Sequence, residues 1–191
     1  GVSVDIFTRR QNPELPEIVE ISPGVRVRHL NVGIASATKE DLPALIPGLS
    51  DAFSLVLENE TFDVLHSHYW LSGKVAMPAA KKFGIPLAHT MHTMARVKNM
   101  NLAEGERPEP MIRVQGETQV VAAADALIAN TDAEAASLVS LYQACPDSVS
   151  VVSPGVDLYT FTAGKGRKAA REEVGLPLDA HVLAFVGRIQ P

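Results

Sequence analysis

The sequence predicts an α/β fold: a Rossmann-like domain on a mostly parallel sheet. Three observations predict it. Short β-rich runs alternate with helical stretches along most of the 191 residues, the pattern of βαβ units whose sheet is covered on both faces. Right-handed crossovers then make the domain doubly wound. With 46% hydrophobic and 20% charged residues and a mean hydropathy of +0.08, the chain can bury a substantial core and is no disordered tail.

The elements follow in order. Residues 2–8 (VSVDIFT) alternate as a strand, and residues 25–32 (VRVRHLNV) form another. Residues 39–60 hold one or two helices, with Pro43 and Pro47 in the first half. Residues 62–67 (FDVLHS) read as a buried strand, and residues 73–83 as a helix ended by Gly84. Residues 86–90 (PLAHT) are the next strand, 110–124 a helix and 126–129 (ALIA) a short strand. Asp132 is a fitting N-cap for a helix to about residue 144. Residues 148–152 (SVSVV) return to a strand. Ser153-Pro154-Gly155-Val156-Asp157 breaks the alternation and reads as a hinge. Beyond it come a helix over 168–174, stopped by Gly175 and Pro177, and an apolar strand over 181–186 (HVLAFV).

Composition narrows the function classes. A net charge of −5 offers no basic field for nucleic acid or an anionic membrane. No apolar run approaches the roughly 18 residues of a membrane span, and the opening residues approach a strand without the look of a signal peptide. Cys145 is the only cysteine, so no internal disulfide is available, and it reads as a plain loop or core thiol. The cytoplasm is the default location.

Polar density concentrates at three strand ends, where open parallel sheets bind ligands. These are His66-Ser67-His68-Tyr69-Trp70, His89-Thr90-Met91-His92-Thr93 and Val186-Gly187-Arg188; Arg96, Lys98 and Arg113 follow the second. Four of the six histidines fall in the first two clusters, so a zinc site on His66, His68 and His89 is one reading. Neither cluster contains a carboxylate, HExxH spacing is absent, and histidines bonded to backbone are the plainer alternative. Neither a G-x-S-x-G elbow nor a G-x-G-x-x-G loop occurs. Arg and Lys beside Thr and Tyr hydroxyls suit a phosphate monoester or a nucleotide diphosphate.

At HSHYWLSG (66–73), HTMHTMARVKN (89–99), RVQGE (113–117), SPGVD (153–157) and FVGRIQP (185–191), the sequence resembles the family-4 glycosyltransferases over essentially its whole length. The resemblance implies a GT-B fold. Residues 1–157 would be an N-terminal acceptor-binding Rossmann-like domain, lacking its first strand and glycine-rich loop. Residues 158–191 would be the hinge and truncated start of a nucleotide-sugar-binding domain. It implies retaining transfer of N-acetylglucosamine from UDP-N-acetylglucosamine to 1D-myo-inositol 3-phosphate, as in mycothiol biosynthesis.

By match to the family, Lys39, Tyr69, Thr93 and Arg113 would hold the inositol phosphate, His92 would be the catalytic histidine that approaches the transferred sugar, and Arg188 would grip the donor diphosphate. The resemblance implies no metal ligand and no cofactor within this chain; it leaves open a divalent cation near the donor diphosphate of the full-length enzyme, and a homodimer. No nucleic-acid or membrane partner is expected. As an interior piece, the chain alone is not expected to transfer sugar. Two other readings stay open: a sucrose-phosphate synthase-like transferase, which shares much of the HSHYW, HTxH and PGVD pattern, and a non-catalytic sugar-phosphate-binding module.

Overall fold

The computed structural model describes residues 1–162, 164 and 166–187. The chain divides into two compact units, residues 1–153 and 154–191.

The first unit opens with three strands, β1 (Val4–Arg9), β2 (Ile18–Ser22) and β3 (Val25–Leu30). β1 pairs parallel with β3, and β2 pairs antiparallel with it. β2 was not expected; it is tied to β3 through the turn at Gly24, whose φ of 78° suits glycine. On β3, Arg26 lies opposite Asp5 of β1 and Arg28 opposite Phe7, and both guanidinium groups reach the Asp5 carboxylate, at 2.8 and 2.6 Å.

Helix α1 (Leu42–Leu57) follows as one continuous helix. Pro43 sits in the first turn, where a missing N–H has no partner to lose, and Pro47 forgoes one internal bond without ending the helix. Next come β4 (Leu65–His68), α2 (Tyr69–Phe83), β5 (Leu87–Thr90), α3 (Ala95–Met100), α4 (Met111–Ala123), β6 (Ala126–Ala129), α5 (Asp132–Tyr142) and β7 (Val149–Val151). β4, β5, β6 and β7 form one sheet in that order, every pair parallel. This is the βαβ succession read from the sequence. α2 closes on Gly84 in the left-handed region, φ 67°. The cap of α5 is Thr131, whose side chain accepts from the Glu134 N–H, and Asp132 is the first helical residue.

The single sheet expected is two. Among the described residues no backbone ladder joins β1–β3 to β4; the two sheets meet through side chains. Phe7 and Leu30 pack against the buried cluster of Phe53, Leu57, Leu65, Ala76, Ala79 and Leu87, with Phe7 and Phe53 edge to face at 4.8 Å. A second cluster, including Met91, Met94, Leu127, Leu138 and Tyr142, lies under β6 and α5.

In the second unit, α6 (Arg167–Glu173) lies where a helix was expected. One guanidinium nitrogen of Arg171 donates to the carbonyls of Pro177, Leu178 and Ala180 and gathers the following loop around it. Residues 181–186 are not a strand. A strand needs a backbone partner, and among the described residues this unit contains no other strand to supply one.

Candidate functional site

The site grows from the carboxyl ends of β4 and β5. Alternation along β4 buries Leu65 and Ser67 and turns His66 and His68 to the other face. The register sets Ser67 beside His89 and His68 beside Thr90. On the buried face, Ser67 Oγ and His89 Nδ1 are 2.7 Å apart, and His89 Nε2 lies 3.1 Å from Met91 Sδ. Burial, seconded by the neighbouring imidazoles, pushes the His89 pKa down to about 4. This face is not the one that carries His66 and His68, so the three do not converge as zinc ligands. Among the described residues no group of three or more His, Cys, Asp or Glu side chains could hold a metal ion.

On the outward face the imidazoles form a ladder. His66 Nε2 is 2.9 Å from Thr90 Oγ1, and the rings of His66 and His68 lie 4.1 Å apart. His68 Nδ1 and His92 Nε2 are 2.9 Å apart, with their rings stacked at 5.2 Å. Desolvation lowers the pKa of both His66 and His68, and the neighbouring imidazoles add to the shift.

Two residues of the site adopt strained backbone. Tyr69 has φ 70° and His92 φ 60°. The Thr93 N–H donates to the Met91 carbonyl at 2.7 Å, so His92 is the centre of a γ-turn of the rare, positive-φ kind. Non-glycine residues held in this region cost on the order of 1–3 kcal/mol and cluster at functional sites. The third such residue, Gln143, is an ordinary left-handed helix stop after α5.

Arg113, in the first turn of α4, is 3% exposed and meets both strand ends. Its Nη2 donates to Thr93 Oγ1 at 2.9 Å and to the Thr93 carbonyl at 3.2 Å. The guanidinium lies over the Tyr69 ring, 5.1 Å from its centre. Nε donates to Glu117 Oε1 at 2.7 Å, and Nη1 pairs with Glu109 at 2.9 Å. Burial opposes its charge, but the carboxylates of Glu117 and Glu109 outweigh it and raise the Arg113 pKa.

Glu117 is itself fully buried. Its other oxygen accepts from the Ala95 N–H at 2.8 Å and from the Tyr142 hydroxyl. One carboxylate thus ties α3, α4 and α5 together and holds Arg113 at the strand ends. Burial, with Glu117 alongside, raises the Tyr142 pKa.

The structure therefore brings together Tyr69, Thr93 and Arg113, and sets His92 on the same turn as Thr93. Lys39 is exposed in the turn before α1, and none of the contacts described above reaches it. Arg188 lies outside the described residues. Glu109, Glu117 and Tyr142 were not singled out from the sequence. The Arg113–Glu117 spacing of four was a usable signal, whereas Tyr142, 25 residues further on, reaches Glu117 only through the fold. Chemically, a buried guanidinium, a hydroxyl and an aromatic face beyond two strand ends can fix a phosphate or carboxylate.

Residues 1–155 match the family model of the glycosyl transferase 4-like domain. Among curated relatives, D-inositol 3-phosphate glycosyltransferases from Kineococcus radiotolerans and Thermobispora bispora are 53% and 52% identical over the whole chain. The chain spans about 45% of each relative's length. Among solved structures, sucrose-phosphate synthase from Thermosynechococcus elongatus superposes with a TM-score of 0.78 at 27% identity, covering 92% of this chain and 43% of that one. Anabaena HepE, solved with UDP and glucose, shares the fold at a TM-score of 0.55 and 10% identity, covering 92% of this chain and 50% of that one. The parallel sheet with its flanking helices is thus the Rossmann-like fold of a GT-B glycosyltransferase, and the chain belongs to the glycosyl transferase 4-like family.

Proposed function

We propose that residues 1–153 form the acceptor-binding part of a retaining glycosyltransferase that moves N-acetylglucosamine from UDP-N-acetylglucosamine to 1D-myo-inositol 3-phosphate. The observation that carries the reading is the convergence of Arg113, Thr93 and Tyr69 beyond β4 and β5. The names of the relatives that are 52–53% identical support the acceptor. Thr93 and Arg113 would hold the phosphate, and the Tyr69 hydroxyl and Lys39 would complete its shell. Gripping the phosphate away from the reacting hydroxyl orients the inositol ring. His92 would meet the transferred sugar, its ring fixed by the γ-turn and by His68. Arg188, with donor-binding groups of the full-length enzyme, would stabilise the charge that gathers on the departing UDP. The acceptor hydroxyl would attack on the leaving-group side and pass its proton to the departing phosphate.

The test is kinetic, in the full-length protein. Arg113→Ala should raise the acceptor KM about tenfold or more, since a hydrogen bond to a charged group contributes roughly 1.5–3 kcal/mol, and should leave the donor KM nearly unchanged. An unchanged acceptor KM, or turnover faster with fructose 6-phosphate than with inositol 3-phosphate, contradicts the reading.

A further inference from the structure

Each nitrogen of the Arg113 guanidinium is engaged: Nε by Glu117, Nη2 by Thr93, Nη1 by Glu109. With the residue 3% exposed, an incoming anion that reaches for Nη1 competes with Glu109, which pairs with it at 2.9 Å. The two carboxylates differ in kind. Glu117 is fully buried and accepts from three donors on three helices, so it is fixed. Glu109 lies just before α4, its side chain 18% exposed. Its backbone N–H is pinned to Asn99 Oδ1 at 2.8 Å, which leaves the side chain free to turn without moving the loop.

Glu109 also has somewhere to go. The same Oε1 that meets Arg113 is hydrogen bonded by Lys98 Nζ. Beside the pair lies a surface recess of about 490 Å³ lined by Val97, Lys98, Leu102, Glu106 and Arg107 among others.

We propose that Glu109 is a specificity-determining residue for the acceptor: its carboxylate occupies Arg113 and yields to a phosphate group, turning onto Lys98 as it leaves. The inference rests on the acceptor-site reading above. A phosphate dianion replaces the carboxylate with a stronger charge-assisted partner. A neutral polyol cannot: Glu117 would still neutralise the guanidinium, but the Nη1 ion pair with Glu109 would be given up for a weaker, uncharged contact. Selection against the unphosphorylated sugar is thus built into the site as a competing anion. Two anions cannot share Nη1 cheaply, so binding and departure are coupled.

The experiment uses the 191-residue chain, isotope-labelled, titrated with inorganic phosphate at constant ionic strength and followed by amide shifts. Glu109→Gln should bind phosphate roughly tenfold more tightly, since it removes a competing charge at a partly buried cation. Lys98→Ala should bind it several-fold more weakly, and Glu109→Ala serves should the glutamine variant misfold. Opposite effects at Glu109 and Lys98 are not what a merely structural pair would give. If phosphate binds wild type and Thr93→Val weakens it, but Glu109→Gln leaves the affinity unchanged or lower, the exchange is wrong and the acceptor site stands. If phosphate binds none of the variants, or binds with no response to Thr93→Val, the acceptor-site reading falls and the exchange with it.

Discussion

Arg113 sits between two demands. It must stay charged and oriented while nearly sealed from water, and Glu117 makes that tolerable by neutralising it inside the protein. Removing one partner of such a buried pair costs far more than the pair contributes. Glu117→Ala should therefore destabilise the fold by about 3–5 kcal/mol in urea unfolding, and Glu117→Gln, which keeps an acceptor for the Ala95 N–H, by less. Wild-type stability in Glu117→Ala would contradict the network. His89 supplies a pH test. Its folded pKa, about 4, lies below the 6.5 of a free imidazole, so between these values the unfolded chain binds the extra proton. The stability it contributes is complete above pH 6.5 and is lost as pH falls toward 4, on the order of 3 kcal/mol. His89→Gln should flatten the stability–pH slope across that window by about one proton; an unaltered slope would show His89 to be freely protonated. At this scale the motifs were legible, since HSHYW, HTMHT and RVQGE contain Tyr69, Thr93, His92 and Arg113. Their partners were not, because Tyr142 and Glu109 meet the site through tertiary packing and a loop.

Among elements, those with a strong local signal were read well. The apolar run ALIA is β6 residue for residue, and Gly84 ends α2 as a left-handed stop. Misses have local physical causes. α2 begins at Tyr69, four residues before the expected start, because the turn of the chain is made by the strained Tyr69 itself. α3 has only six residues, and no element was expected there. Its first N–H groups are held by Glu117 and Tyr142, far along the chain, and short helices draw their stability from such packing. The α2–α4 contact depends on two glycines, one on each helix, and a Cβ built on Gly73 would lie 2.5 Å from Val120 Cγ1. A Cβ built on Gly116 would lie 2.6 Å from Trp70 Cε3, and Trp70 is buried. Gly116→Ala should destabilise by about 1–3 kcal/mol through overpacking. Because Trp70 is the only tryptophan, its fluorescence reports the shift directly; unchanged emission and unchanged Tm would show that the helices part freely.

At the scale of the molecule, alternating strands and helices foretold the parallel sheet β4–β7, and separated motifs foretold the family. The division into two sheets was not legible, since which strands share backbone bonds is decided by packing around Phe7, Phe53 and Leu65. Strand potential at residues 181–186 was legible too, yet no strand forms there among the described residues, because pairing is a property of the assembly and not of the segment. For the first unit we propose a site for a phosphorylated polyol beyond β4 and β5. Calorimetric titration of the chain with 1D-myo-inositol 3-phosphate and, separately, with myo-inositol tests this most directly. Saturable binding of the phosphate ester is expected, weakened at least several-fold in Thr93→Val, with no measurable binding of the free polyol. Equal binding of the two, or binding of the ester indifferent to Thr93, would contradict it.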